Sequence, residues 1–453
     1  MRTFSYVFAA TMVARLSSLI SFPVTTRTLT VADMGELTIW HTLRGLILLA
    51  VFAGLPDIVA REAGVHHSQK AFYSALKLSA TLLSLVALCM ETVLALAPGW
   101  ITVPYPRLLI VAAAIDIVPG LFLTTQAAMG RVGAYAVCIM APAVTASLTT
   151  VMLVLPPFSM GIVGPLYAHV AASGLNALIC AWLLFRHREP VGSPAQPPAN
   201  LLRQSIPILG VSLVGMSIVT VDRYSIHWIS GAQSLGFYAV AFQAAALLSF
   251  GGSAVRTSSM AKIISNIEKP VVIQRYFNDY LMCAGMFALL LAALAPEVIR
   301  VLAGAKYEAQ VQLAPILCAA ILGLELYSFG QALAVARRDS QRAFKSILAA
   351  AVVAMLLAPP ACMLLGATGV SIALLIAYAV AAITVLARQS SLTPVSISTL
   401  AGVVVALIAL TAHYGQVANV HSPVSMALRY VLAFLCAGVG LMRLRALGRE
   451  TTP

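Results

Sequence analysis

The chain has 453 residues, of which 60% are hydrophobic and only 9% are charged. A soluble domain usually carries about 25% charged residues, so this composition excludes a globular protein that covers itself with polar side chains in water. A formal net charge of +13 would suit a soluble nucleic-acid-binding protein. Here most basic residues lie in short loops between apolar segments, so we expect them to contact membrane lipids and set the topology, with no nucleic-acid partner.

Apolar runs of about 20 residues, each long enough to cross a bilayer as a helix, follow one another along the chain. With proline, glycine and charged residues as boundaries, about fourteen transmembrane helices are predicted. In chain order they cover residues 4–24, 37–60, 71–96, 107–129, 134–156, 161–185, 204–228, 235–256, 278–300, 311–336, 343–365, 367–387, 397–415 and 425–443. The chain is therefore expected to be an all-α integral membrane protein.

The basic residues also orient these helices. With a cytoplasmic N-terminus, most of the 28 lysine and arginine residues fall in cytoplasmic loops, which is the imbalance that the positive-inside rule describes. The opposite side carries Arg27, Arg107, Arg300 and Lys306. Both termini are therefore predicted to be cytoplasmic.

Short motifs recur in the same order roughly 200 residues further along, which indicates two parallel repeats of the kind found in transporters. The pairs are Leu96-Ala97-Pro98 with Leu294-Ala295-Pro296, Gly35 with Gly236, Pro156-Pro157 with Pro359-Pro360, and Gly161-x-x-Gly164 with Gly366-x-x-Gly369. Six predicted helices precede the polar segment between the repeats, so both repeats begin on the same side of the membrane.

This repeat divides the chain into four parts. Residues 1–185 are predicted to form a first lobe of six helices, and residues 186–203 a proline-rich cytoplasmic linker. Residues 204–388 form the second six-helix lobe. Residues 389–453 contain the last two helices and a cytoplasmic tail.

A set of loosely defined motifs is spread over both halves. The motifs are residues 17–23, 26–29, 34–35, 54–61, 205–207, 221–224, 235–241, 295–304 and 306–307. In this order and spacing they resemble polysaccharide transporters of the Wzx type, which belong to the multidrug/oligosaccharidyl-lipid/polysaccharide (MOP) flippase superfamily. The resemblance extends over residues 1–388, and the two additional helices fit members with fourteen.

The resemblance implies a V-shaped transporter of two six-helix lobes in the bacterial cytoplasmic (inner) membrane. Such proteins move an undecaprenyl-pyrophosphate-linked oligosaccharide to the outer leaflet by alternating access, for surface polysaccharides such as the O-antigen of lipopolysaccharide or exopolysaccharide. The partners it implies are the lipid-linked oligosaccharide, membrane lipids and polysaccharide polymerase or other assembly machinery.

Four arginines are predicted to form a cationic substrate-binding cavity. A charge in the hydrocarbon layer costs at least about 2.5–3.5 kcal/mol, and a guanidinium binds a pyrophosphate through a planar fork of N–H donors. Since the resemblance places the first, second, seventh and eighth helices at the cleft between lobes, the cavity would contain Arg15, Arg44, Arg223 and Arg27. The alternative is that each arginine only neutralises a nearby carboxylate.

Three carboxylates within the predicted helices, Glu325, Asp116 and Asp222, are candidates for proton or sodium coupling, because buried carboxylates commonly mark ion paths. Their alternative role is to pair with the arginines. Asp57 and Arg61, spaced i and i+4 on one helix face, are gate candidates together with Arg256; an ordinary ion pair at a helix end is the alternative.

Two alternative functions differ in what they require of the sequence. A cation-coupled drug or metabolite antiporter of the same superfamily would have a cleft dominated by carboxylates and aromatic residues. A membrane-embedded enzyme is rejected, because the predicted outer loops are short and no H-E-x-x-H, G-x-S-x-G or P-loop motif occurs. The seven cysteines have no metal-ligand spacing, so neither a metal nor a cofactor is expected.

Overall fold

The computed structural model of the chain is helical throughout the part that it describes. The described residues are 2–66, 70–96, 104–129, 131–186, 198–249, 269–337, 339–387, 394–416 and 421–449. Within these ranges no strand occurs, so the all-α prediction is confirmed.

The helices follow the predicted order. Those up to residue 246 are α1 (Arg2–Thr28), α2 (Val31–Phe52), α3 (Leu55–His66), α4 (Lys70–Leu96), α5 (Pro106–Ala128), α6 (Val132–Val154), α7 (Val163–Arg186) and α8 (Pro198–Ala246). The remainder are α9 (Pro270–Ala293), α10 (Ala295–Ala303), a 3₁₀ helix (Ala305–Gln310), α11 (Leu313–Ala336), α12 (Ser340–Leu386), α13 (Pro394–Gln416) and α14 (Pro423–Arg449).

The chain forms two compact units, Met1–Met216 and Ser217–Pro453, and α8 runs through their boundary. In the first unit α6 packs against α1 and α7, and α5 packs against α2, α3, α4 and α7. In the second unit α11 packs against α12, while α9 packs against α11, α13 and α14. The predicted division into lobes, linker and C-terminal helices stays a prediction.

Many of these helices suit a membrane. Among the described residues, nine helices are long and apolar enough to span a bilayer. Only 11% of the most apolar stretch of α4 is buried inside the protein, against 83% for α11. Because exposed side chains such as Leu96, Leu364 and Phe434 would be unfavourable in water, we assign these surfaces to lipid. The count of fourteen crossings stays a prediction.

Two long helices each contain a sharp break at a glycine. Gly231 in α8 has φ 84° and Gly366 in α12 has φ 60°, a region that side chains with a Cβ rarely adopt. The Tyr238 hydroxyl donates to Asp222 Oδ2 at 2.6 Å, although the two residues are 16 positions apart. A straight helix would separate them by about 24 Å, so the chain folds back at Gly231. The breaks lie where the sequence analysis divides the seventh helix from the eighth and the eleventh from the twelfth.

The second helix begins earlier and ends earlier than the predicted 37–60. It begins at Val31 because Thr30 caps it: the Asp33 backbone N–H donates to Thr30 Oγ1 at 3.1 Å, and the Thr30 N–H donates to Asp33 Oδ2 at 3.1 Å. It ends where Ala53 (φ 47°) and Gly54 (φ 77°) adopt left-handed backbone conformations. The predicted helix 278–300 is likewise interrupted, at Leu294, because Pro296 begins a new helix.

The recurring glycine motif has the same backbone role in both halves. Gly161 and Gly366 have φ +57° and +60°. A Cβ on Gly164 would lie 3.0 Å from Val154 Cγ2, and a Cβ on Gly369 would lie 2.0 Å from the Ala361 carbonyl oxygen. In each motif, the first glycine turns the chain and the second lets it pass close to the segment before the turn.

Candidate functional site

An arginine and an aspartate pair inside the first unit. Arg44 on α2 donates from Nε to Asp116 Oδ2 on α5 at 3.0 Å, and its Nη2 donates to the same oxygen. The pair forms because α2 packs on α5, which brings residues 72 positions apart into contact. The side chains are 18% and 14% exposed, so the pair is largely buried and still reachable.

Three aromatic rings lie in the same unit, on α2 and α7. The Trp40 ring is 5.3 Å from His41 and 5.9 Å from His169, and the two imidazoles are 5.6 Å apart, all edge-on. Among the described residues, neither Trp40 Nε1 nor His169 Nε2 has a hydrogen-bond partner, although both atoms are buried. The sequence does not single out this cluster, since aromatic residues at helical spacing are most often ordinary core residues.

Two predicted cavity arginines lie on α1 at different depths. Arg15 is partly buried near the middle of the helix, whereas Arg27 is exposed in its last turn. At 1.5 Å per residue they are about 18 Å apart along the helix axis. One diphosphate therefore cannot lie level with both guanidinium groups.

The remaining predicted arginine lies in the second unit, beside Asp222 on α8. The Arg223 guanidinium carbon is 5.5 Å from the centre of the Phe242 ring, a cation–π distance. Its backbone N–H donates to Asp222 Oδ1 at 2.6 Å, and Tyr238 satisfies the other carboxylate oxygen. Asp222 is only 2% exposed. Both of its oxygens are thus held by hydrogen bonds within the unit.

Glu325, on α11, is buried and hydrogen-bonded to a tyrosine hydroxyl, as Asp222 is. The Tyr280 hydroxyl, on α9, donates to Glu325 Oε2 at 2.7 Å, and the Tyr280 ring stacks on Phe329 at 5.1 Å. The glutamate is 3% exposed. Both candidate coupling carboxylates of the second unit are therefore bonded to a tyrosine hydroxyl, a partner that the sequence analysis did not identify.

Tyr238→Phe is expected to destabilise the second unit. Removing the hydroxyl leaves one oxygen of a buried carboxylate without its donor, which costs about 1–3 kcal/mol. Thermal unfolding of the purified protein in detergent would show the loss as a lower midpoint. Tyr73→Phe is the control, because Tyr73 is 50% exposed. Equal midpoints for the two variants would contradict the assigned hydrogen bond.

The described residues include only part of the predicted gate. Asp57 is exposed near the start of α3. Arg61 lies on the same helix, but its side chain is outside the described part, as is the whole of Arg256. The gate therefore stays a prediction.

A fully buried arginine outside the predicted site joins α14 to the end of α9 and the start of α10. Arg429 Nη1 donates to Glu297 Oε2 at 2.7 Å, and the Tyr414 hydroxyl donates to the Ala292 and Ala293 carbonyls at 2.8 and 2.9 Å. Glu308 also pairs with His421 Nε2 at 2.8 Å. These contacts hold the last two helices on the second unit. Arg429 lies within an apolar run, and this is the sequence signal that could have identified it.

The described residues do not form a metal centre. No group of three or more histidine, cysteine, aspartate or glutamate side chains within the described ranges could hold a metal ion. The chemistry that the side chains do offer is anion binding by Arg44 and ion or proton binding by buried carboxylates.

A family model described as polysaccharide biosynthesis protein matches residues 1–259 of the chain. No curated protein matches the chain. A solved structure of the lipid II flippase MurJ, in an inward closed conformation, is similar with a TM-score of 0.69 at 16% identity, over 98% of this chain and 99% of that chain.

Two further solved structures are transporters. An inward-facing multidrug resistance MATE family transporter of the MOP superfamily has a TM-score of 0.68 at 15% identity, over 88% of this chain and 96% of its own. A MOP superfamily transporter from Pyrococcus furiosus has a TM-score of 0.57 at 14% identity, over 90% and 96% of the two chains. At these identities the likeness shows the fold, which is that of a MOP-type transporter and confirms the predicted fold class.

Proposed function

The chain belongs to the polysaccharide biosynthesis protein family, and from this we propose that it flips a polyprenyl-pyrophosphate-linked oligosaccharide across the cytoplasmic membrane. The transport would supply repeat units for a surface polysaccharide, such as an O-antigen of lipopolysaccharide or an exopolysaccharide. The observation that carries the proposal is Arg44, a partly accessible guanidinium within an apolar helix. A charge there is costly, and charges kept within membrane helices commonly mark substrate or ion paths.

The proposed cationic cavity contains Arg15 and Arg44, with Arg27 and Arg223 as further contributors. A pyrophosphate offers planar acceptor groups that an arginine fork fits, and arginine remains charged when partly desolvated. The partial burial of Arg15 and Arg44 supports this role. The exposed position of Arg27 at the end of α1 suits an outer contact, where substrate would leave.

Ion coupling and gating are further parts of this proposal. Glu325, Asp116 and Asp222 are the coupling candidates, and the burial of Glu325 and Asp222 supports them because carboxylates kept within membrane helices commonly mark ion or proton paths. Asp57, Arg61 and Arg256 are the proposed gate residues. Alternating access between two lobes would move the substrate.

The protein is a multi-pass membrane protein, and we propose that it acts in the bacterial inner membrane. We propose cytoplasmic positions for both termini, on the distribution of lysine and arginine. The proposed partners are the lipid-linked oligosaccharide, the surrounding lipids and the polysaccharide polymerase or other assembly machinery.

One alternative function is a cation-coupled drug or metabolite antiporter. The MATE-like fold and the buried Asp222 and Glu325 favour it. The two proposals differ in what the arginines do: a diphosphate carrier depends on Arg15 and Arg44, whereas an antiporter of cationic drugs would be hindered by them.

Complementation tests the proposed function. In a strain that lacks its flippase, the wild-type chain should restore surface polysaccharide, whereas Arg15→Ala and Arg44→Ala should reduce it. Losing a charge-assisted hydrogen bond costs about 1.5–3 kcal/mol, which corresponds to about 10- to 100-fold in affinity. Surface polysaccharide would be quantified at matched membrane expression.

Arg107→Ala is the matched control. Arg107 pairs with Glu91 and is 80% exposed, so its loss should leave transport unchanged. Normal polysaccharide from both Arg15→Ala and Arg44→Ala would contradict the cationic cavity. Failure of the wild type with several repeat-unit chemistries, together with drug efflux, would favour the antiporter.

A further inference from the structure

Arg44 contacts the Asp116 carboxylate through only one of its two oxygens. Both Nε and Nη2 donate to Asp116 Oδ2. Throughout the described ranges, Asp116 Oδ1 accepts no hydrogen bond and Arg44 Nη1 donates none. Arg107, by contrast, binds both oxygens of Glu91, with Nε–Oε1 at 3.0 Å and Nη2–Oε2 at 3.2 Å. The Arg44 pair thus uses one carboxylate oxygen and leaves Nη1 of the guanidinium without a partner among the described residues.

In the empty carrier, the Arg44–Asp116 pair offsets the cost of placing a charge within an apolar helix. A lone guanidinium within an apolar helix is costly, and an opposite charge in contact offsets that cost. Asp116 supplies the charge from α5, a neighbouring helix of the same unit. A diphosphate carries more negative charge than a carboxylate and presents two acceptor oxygens to an arginine fork. It can therefore replace Asp116 on Arg44.

We propose that Asp116 is an internal counter-ion, which neutralises Arg44 in the empty carrier and is displaced by the anionic headgroup of the substrate. This inference rests on the proposed function and specifies how its binding site works. Binding breaks the Arg44–Asp116 contact, and release restores it. The restored contact lowers the affinity for the headgroup and so favours its departure, because any interaction made only by the empty state opposes binding.

The test is the binding of farnesyl pyrophosphate to the purified protein in detergent at pH 8. Asp116→Asn should bind about tenfold more tightly than wild type, because the amide removes the competing charge. Arg44→Gln should bind weakly, and adding Asp116→Asn to Arg44→Gln should change nothing further. Asp116→Glu keeps a counter-ion, so its affinity should lie closer to that of the wild type than to that of Asp116→Asn.

A second ligand separates displacement from simple repulsion. If Asp116 leaves Arg44, the free-energy cost of displacing it is the same for any headgroup. Asp116→Asn should then raise the affinities for farnesyl monophosphate and farnesyl pyrophosphate by similar factors. If Asp116 stayed in place and only repelled the ligand, the more highly charged pyrophosphate would gain more. A markedly larger gain for the pyrophosphate would overturn the displacement.

Folding is measured in parallel. Without ligand, Asp116→Asn should unfold at a lower temperature than wild type, because Arg44 loses its counter-ion. With farnesyl pyrophosphate, its midpoint should rise further than that of the wild type. Unchanged or weaker binding by folded Asp116→Asn overturns the counter-ion inference alone. A wild type that binds no farnesyl pyrophosphate overturns the proposed diphosphate site, and the inference with it.

Discussion

Arg429→Ala is expected to lower the free energy of unfolding by about 3 kcal/mol, because it breaks a buried ion pair and leaves the other charge behind. The arginine side chain is 0% exposed and Glu297 is 27% exposed. Nη1 also lies 3.5 Å from the Ala293 carbonyl oxygen. Removing the side chain would leave Glu297 without its cation and open a space between α14 and α9. The midpoint of thermal unfolding in detergent measures this loss.

Arg107→Ala is the control for this stability measurement too. Its ion pair with Glu91 is exposed, and such pairs contribute at most about 1 kcal/mol. Arg429→Met separates the two contributions, since a hydrophobic side chain of similar length fills the space but does not restore the ion pair with Glu297. If Arg429→Ala and Arg107→Ala unfold at the same temperature, the last two helices are not held by this contact.

Gly369→Ala is expected to destabilise the second unit by about 3 kcal/mol or more, because the added Cβ would clash with the backbone. Its Cβ would lie 2.0 Å from the Ala361 carbonyl oxygen and 2.6 Å from the carbonyl carbon. Those are backbone atoms, which cannot rotate away as a side chain does. The break at Gly366 would have to open for the methyl group to fit, and the yield of monodisperse protein should fall with the unfolding midpoint.

Gly402→Ala provides the matched comparison. Gly402 lies in α13, and a Cβ there meets nothing within 4 Å. Alanine favours a helix by up to about 1 kcal/mol relative to glycine, so this variant should be as stable as wild type or more stable. A Gly369→Ala protein with wild-type stability would mean that the chain does not turn as closely as described.

The sequence identified the break in α12 through particular residues. Gly366-x-x-Gly369 repeats Gly161-x-x-Gly164, and both motifs begin with a glycine at positive φ. Glycine is the residue that adopts this backbone without strain, so the turn could be predicted from residue type. The break at Leu294 was missed, although Pro296 signals it, because the surrounding run is apolar on both sides.

The partners of the charged residues could not be predicted in the same way. The sequence left three carboxylates open as the partner of Arg44, and contact between α2 and α5 selects Asp116. Tyr238 and Tyr280 were not connected with Asp222 and Glu325, because tyrosines are common in membrane helices and a hydroxyl points to no partner by itself. The contact of Arg429 with Glu297 spans 132 positions, a distance over which residue type carries no pairing information.

By itself, the sequence determined that this protein is an all-α membrane protein and where several of its helices turn. Both follow from local physics: apolar runs of about 20 residues satisfy their backbone only as helices in lipid, and glycine permits the backbone that a sharp turn needs. Only the tertiary structure decided which charges meet, including the contact of Arg44 with one oxygen of Asp116. The reason is that helix packing depends on many weak contacts acting together, and no single residue encodes their outcome.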